Sequence, residues 1–575
     1  MTVDSGHGVK TVSLVKTLPP LDNRLNFDIP DSTDCTQTWS MISRWMETCL
    51  RHHSLCPLRP GSKNYRPTRL LKINCSHDSY SPNTASFQLI SRDEDSPVSS
   101  YAALSYRWGD KPLDKTLRLL KSTSAWLEKP NAVDHLPKTL KDAIYIAYRL
   151  GVRYIWIDRL CIYQDSPEDW RREAGSMQDV YRNSVFCISA LGADDDGGGC
   201  FFSRDPSLVA PTAVDMYNNG EIFRAELEDT AWYAAFRHEP LIRRAWVLQE
   251  RLMVPRTIYF GRKQVFWECE ESHACETHPK GFERSRSAFN PAGADKHEKH
   301  VDIGFPLWKQ LIAIPTTPRI EKDPRTRILA DWSAAVSLYS NTKLTVSGDK
   351  LVAVSGLAKD VRKALQRLRP GRYRYLAGLW EDHLIVTLGW YVRVGTPASR
   401  AACYRAPSWS WASLDGHLII PDTFREGVVE ISSLSSANIA LLGADDTGEV
   451  AEGILTLHGP ICLIEAYILS HNQYAVETFR EFGTGHSVKV RVNESRQHQS
   501  TVIFDTSGDY CNNFVCIWTI AQPVVLGGWR VSGLALRHVR NDTFLRVGVV
   551  SSYHMTQAEL GTFIDRFSPK EVRLV

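Results

Sequence analysis

The chain has 575 residues, 43% hydrophobic and 23% charged, the balance of a folded protein rather than a disordered one. Lys plus Arg number 68 against 65 Asp plus Glu, a formal net charge of +3, so bulk attraction to nucleic acid or anionic lipid is not expected. The 13 cysteines are odd in number and thinly spread, unlike a disulfide scaffold, and they point to a reducing, intracellular and most simply cytoplasmic setting. Residues 1–20 hold no continuous apolar core, and no window of about 18 apolar residues occurs, so neither a signal peptide nor a membrane span is expected.

Residues 1–34 are polar and proline-punctuated and read as a leader. In the lead-in, 35–95, the stretch from Trp45 to Cys56 has helical spacing, stopped by Pro57 and Pro60, and Arg69–Ile73 reads as a strand. From 96 to 270 strand and helix alternate. Tyr101–Tyr106 is an apolar strand. Pro137 opens a helix whose Leu140, Ala143, Ile144 and Ala147 share a face, and Gly151 stands at its C-terminal cap. Tyr154–Ile157 is a second buried strand. Ser166-Pro167-Glu168-Asp169 is a helix start, followed by an apolar stripe of Trp170, Ala174, Met177 and Tyr181. Val185–Ala190 is a third strand. Strands separated by helices predict a mostly parallel sheet covered on both faces. Trp246–Glu250 reads as helical, and Arg256–Cys269 as a hairpin. Residues 271–430 read as a helical and loop extension of this unit, with Ser408-Trp409-Ser410-Trp411 alternating like a strand. Residues 431–575 carry short Val/Ile/Leu runs between glycine turns and read as a β-rich C-terminal domain.

Three phrases recur in one known context. The first is Ala103-Leu104-Ser105-Tyr106-Arg107-Trp108-Gly109. The second runs from Tyr154-Ile155-Trp156-Ile157-Asp158 to Gln164-Asp165 and on to Glu168-Asp169-Trp170, Glu173, Met177 and Tyr181. The third is Arg244-Ala245-Trp246-Val247-Leu248-Gln249-Glu250-Arg251-Leu252. Together they resemble the fungal heterokaryon incompatibility (HET) domain family. The flanks are also similar to its long single-chain members: Cys49, His53 and Cys56; Tyr375–Trp380; and Ala406–Ser413. Arg107 and Arg159 stand where smaller residues are common in the family, and Ala245 replaces a usual Gly.

The resemblance implies an α/β fold with a TIR-like (flavodoxin-like), mostly parallel sheet core, because HET domains are distantly similar to TIR domains. Some TIR domains cleave NAD and others only assemble. Asp169-Trp170-Arg171-Arg172-Glu173 is similar to the TIR segment that holds the catalytic Glu, with a Trp-to-Glu spacing one residue shorter. Glu173 is thus the candidate catalytic carboxylate of an NAD glycohydrolase. On a helix it falls roughly 60° to the side of Trp170, at the edge of the apolar stripe. One carboxylate facing the ribose would offset the oxocarbenium-like charge of nicotinamide–ribose cleavage without a metal. The plainer reading is a surface acid paired with Arg172 or Arg153.

Ser105 lies at the carboxyl end of the first strand, where open α/β sheets bind ligands. There Ser105, Arg107, Trp108, Asp158 and Trp170 are the candidate ligand contacts, to ribose, pyrophosphate and base. Their structural readings are a turn-capping Ser, an ion-paired Arg, core Trp and an Asp that caps a turn. Glu250 is read as the partner of Arg244 or Arg251, and Cys161 as packing. The expected role is that of a stand-alone HET-domain protein in non-self recognition or programmed cell death, with NAD as substrate and no cofactor. Its expected partner is a trigger protein or further copies of itself. The alternatives are an accessory or tailoring protein of a secondary-metabolite pathway acting on a small organic substrate, and a non-catalytic interaction protein. P-loop, GxSxG and HExxH motifs are absent. Cys49, His53 and Cys56 share a helix face, and Cys269, Cys275 and His278 follow much later. Neither group supplies the four ligands zinc takes, so packing is the reading and no metal is assigned.

Overall fold

Short runs of apolar residues, each flanked by a turn or a helix, build the centre of the N-terminal half. The structure, a computed structural model, describes residues 29–54, 56, 65–75, 80–81, 84–92, 100–110, 112, 116–210, 239–281, 324–421, 427–470, 501–524, 527–540 and 542–575, with the strands Thr2–Asp4, Val9–Lys16, Thr212–Asp215, Ile222–Leu227, Gln473–Glu481 and Ser487–Val488. Two units divide the chain, Met1–Ala313 and Ile314–Val575.

In the first unit, helix α1 is Thr36–His52. Strands β1 (Arg69–Asn74), β2 (Ser86–Ser91), β3 (Ala102–Ser105) and β4 (Asn131–Ala132) follow. Then come α2 (Lys138–Arg149), β5 (Tyr154–Trp156), α3 (Asp158–Cys161), α4 (Pro167–Asn183) and β6 (Cys187–Ser189). The run ends with α5 (Ala245–Met253), β7 (Arg256–Phe260), β8 (Val265–Cys269) and β9 (His273–Cys275). These nine strands form one sheet in the order β9-β8-β7-β6-β3-β5-β1-β2-β4.

The expectation of a mostly parallel sheet is corrected to a mixed one. Only β5, β3, β6 and β7 run parallel, and the other pairings are antiparallel. The reason lies in the connections. The parallel strands are linked through α2, α4 and α5, whereas β7, β8 and β9 follow one another through three or four residues, which allows only hairpins. The parallel centre is buried along β3, β6 and β7, as a sheet covered on both faces requires. Register sets Ser105 beside Ser189 and Ala103 beside Trp156, so the carboxyl ends of β3, β5 and β6 share one edge.

The α4 start is as its sequence predicts: Ser166 caps it, accepting the Asp169 amide at 3.3 Å, with Pro167 in the first turn. The expected stripe is buried at Ala174, Met177 and Tyr181, with Trp170 half-buried, and the buried face is wider than that stripe, taking in Asp169, Glu173, Gln178 and Val180. The Asp169 carboxylate is held there by Arg69 from β1, which grips it with both terminal nitrogens, at 2.6 and 3.1 Å. Residues Val9–Lys16, within the expected leader, pair antiparallel with Ile222–Leu227.

In the second unit, the helices Pro324–Ser340 and Val352–Leu368 pack on each other. The β-rich character expected beyond residue 430 is present: long antiparallel strands such as Val450–Ser470, Asn513–Pro523, Trp529–Arg540 and Thr543–Met555 share one sheet. Its core includes Phe504, Phe514, Trp518, Val531 and Phe563. Ser408–Trp411 is not the expected strand but a turn leading into a 3-10 helix, Trp411–Ser413.

Candidate functional site

The end of β3 draws in two hydrogen bonds from other elements. The Ser105 hydroxyl donates to Glu250 Oε2, which ties β3 to α5. Three residues on, Trp108 Nε1 donates to Asp158 Oδ2 at 2.9 Å. The other oxygen of Asp158 accepts the Arg159 amide at 2.7 Å, so this carboxylate opens α3 as well as holding the indole. Arg244, just before α5, donates to the Tyr106 carbonyl. Ser105 and Glu250 are buried, and Trp108 and Asp158 are half-exposed above them.

Glu250 lies wholly inside the protein, and burial pushes its carboxyl up to about 7 despite the pull of Arg244 and the hydroxyl of Ser105. The pairing with Arg251 considered from sequence is not made there: Arg251 bonds Glu268 at 3.0 Å. The one textual sign of Glu250's position is that Gln249 and Glu250 are the polar pair in the otherwise apolar Trp246–Glu250.

Among the described residues Arg107 reaches Asp194, at 3.8 Å, and both are partly open to solvent. The buried cation of this edge is instead Arg159. Its Nη1 bonds Asp196 at 2.8 Å, while Nε and Nη2 have no hydrogen-bond partner among the described residues. Its guanidinium carbon stands 5.8 Å from the Tyr106 ring centre and 5.7 Å from that of Trp108. The sequence marks Arg159 only as a departure from the family pattern.

Glu173 points into the protein, with 2% of its surface exposed. Its ion pair is with Arg172, Nε to Oε1 at 3.3 Å, and Arg172 also reaches Asp169. Arg153 instead lies over the Tyr148 ring. Glu173 therefore joins the Asp169–Arg69 group on α4, and no hydrogen bond or ion pair among the described residues links it to Ser105, Asp158 or Glu250. Trp170 sits on the half-buried side of the same helix. Burial pushes the Cys161 thiol up to about 12, which leaves it protonated and unfit as a nucleophile.

Residues 101–250 match the family model described as Heterokaryon incompatibility protein (HET). This segment is a HET domain. No curated protein and no solved structure matches the chain. The HET match opens at Tyr101, one residue before β3, and closes at Glu250, the acid bonded to Ser105. The three HET phrases of the sequence all contribute to the cluster: Ser105 and Trp108 from the first, Asp158 and Arg159 from the second, Glu250 from the third. Among the described residues no helix is long and apolar enough to cross a membrane.

Proposed function

We propose that this heterokaryon-incompatibility-type protein acts in fungal non-self recognition by hydrolysing NAD at the carboxyl edge of its parallel strands. The observation that carries the reading is the convergence of Ser105–Glu250 and Trp108–Asp158 on the end of β3. Counted along the chain, the parallel strands stand in the order 2-1-3-4, the start of the flavodoxin-like order, in which ligands bind where strands 1 and 3 meet. Here those strands are β3 and β6. This supports the TIR-like reading of the HET core.

In the proposed reaction the bond between ribose C1′ and the nicotinamide nitrogen breaks. Nicotinamide leaves with the bonding pair, water adds to C1′, and one proton is released. Asp158, which accepts two N–H donors, faces the oxocarbenium-like ribose. Glu250, held near neutrality by burial, orients a ribose hydroxyl together with Ser105. Arg159 Nε and Nη2, without a hydrogen-bond partner among the described residues, suit a diphosphate, and Trp108 offers a ring face to the base. Arg107 belongs to the rim of the same site. Glu173 and Trp170 on α4 are proposed to border it, with Glu173 as the competing catalytic acid.

The test is nicotinamide release from NAD by the purified full chain, alone and under conditions that assemble it. Wild type is compared with Asp158→Asn, Glu250→Gln and Glu173→Gln. Loss in Asp158→Asn and Glu250→Gln with activity retained in Glu173→Gln places the chemistry at β3. The reverse pattern places it on α4. No nicotinamide from wild type in either state removes the hydrolase reading.

A further inference from the structure

Cys49 and His53 stand one turn apart at the end of α1, and Cys56 follows just beyond. Cys269 is the last residue of β8, 216 positions after His53. The fold brings all four together: their ligand atoms lie within 4.8 Å of one another. His53 Nδ1 is 3.4 Å from Cys56 Sγ and 3.3 Å from Cys269 Sγ. A tetrahedral zinc ion, with bonds of about 2.3 Å to sulfur and about 2.0 Å to nitrogen, sets neighbouring ligands about 3.6–3.8 Å apart. The cluster thus matches one ion in size, composition and ligand number. The three cysteines are buried free thiols.

A second observation points the same way. Arg256, at the start of β7, is buried, yet its donors meet no carboxylate among the described residues. Nε donates to Cys49 Sγ at 3.1 Å, Nη1 to the Val185 carbonyl at 3.1 Å and Nη2 to the Cys56 carbonyl at 3.2 Å. A buried guanidinium among neutral groups is costly and calls for an anion. Three thiolates, one neutral imidazole and one zinc ion carry a single net negative charge, which Arg256 balances while holding a ligand sulfur from the outer shell.

We propose that Cys49, His53, Cys56 and Cys269 bind one structural zinc ion. With four protein ligands the site is closed and leaves no position for substrate. Its task is to fasten α1 to the antiparallel flank of the central sheet, where Trp45 also packs on Trp267 and donates to the Pro279 carbonyl at 2.7 Å. Every ligand lies outside the segment that matches the HET model.

The experiment is metal analysis of the full chain purified from zinc-supplemented cells without chelator, followed by exchange of the metal for cobalt. One zinc per chain, a thiolate-to-cobalt charge-transfer band and a drop in melting temperature on adding a strong chelator are expected. Cys269→Ser loses the metal and the band, and Cys403→Ser, altering an exposed thiol elsewhere, keeps both. Wild type without zinc, without the cobalt band and without a response to chelator overturns the proposal, whether or not the Cys269 variant folds. A band retained in Cys269→Ser overturns the ligand assignment.

Discussion

Glu250 meets a hydroxyl and the field of a nearby arginine, yet burial dominates and holds its carboxyl at about 7 rather than the ordinary 4.5. Between those values the folded chain keeps a proton that the unfolded chain has released. Its contribution to stability is therefore full below the unfolded value and declines as pH rises through the window. Glu250→Gln has no such titration. From about pH 5 to about pH 7.5 wild type is expected to lose about 2–3 kcal/mol relative to the variant. Denaturant unfolding of both proteins across that range is the measurement, and parallel pH curves would show that the carboxyl is not desolvated as described. Glu173 is also buried, but Arg172 beside it supplies an opposite charge, so the two acids stand in different surroundings.

Among the elements, the hairpin of Tyr375–Leu376 and Leu379–Trp380 shows why two distant phrases of the chain go together. Its two-residue loop holds Ala377 at φ 45° and Gly378 at φ 105°, the left-handed region. The indole of Trp411 donates to the Gly378 carbonyl at 2.9 Å, and the Ser410 hydroxyl donates to that of Ala377. A Cβ on Gly378 would stand 2.5 Å from Trp411 Nε1. Gly378→Ala is therefore expected to destabilise the chain by more than about 1 kcal/mol through strain and displacement of this indole. An unchanged denaturation midpoint would contradict the packing described. The same contacts explain the failed strand expectation for Ser408–Trp411. Alternation of Ser and Trp imitates period two, but both tryptophans are fully buried, with their N–H groups spent on the Gly453 and Gly378 carbonyls.

For the whole molecule, the HET match does not enclose the whole sheet. Within 101–250 lie β3, β5 and β6, whose outer neighbours β1 and β7 come from outside it. Cut at those limits, the sheet would present two open apolar edges. The segment also loses Glu276, which accepts from Thr38 at 2.7 Å, Val265 at 2.8 Å and Arg204 at 2.9 Å. A 101–250 fragment is expected to lack a cooperative unfolding transition, whereas Met1–Ala313 unfolds as a unit. Circular dichroism in denaturant decides this, and a sharp transition from the short fragment would refute it.

Local pattern was enough for the alternating strands and helices of 101–190, the start of α4, the β-rich character beyond 430 and the HET resemblance, because caps, periodicity and ordered motifs act over a few residues. Tertiary structure alone decided three things. Antiparallel flanks turned the sheet mixed: the hairpin Arg256–Cys269 was legible in the sequence, but its docking beside β6 and the pairings of β1, β2, β4 and β9 were not. The acid beside Ser105 proved to be Glu250, since α5 arrives from far along the chain to cover β3. Cys269 joined Cys49, His53 and Cys56 only because the sheet folds β8 back against α1, and ligand spacing in sequence carries no trace of a contact made across 216 residues.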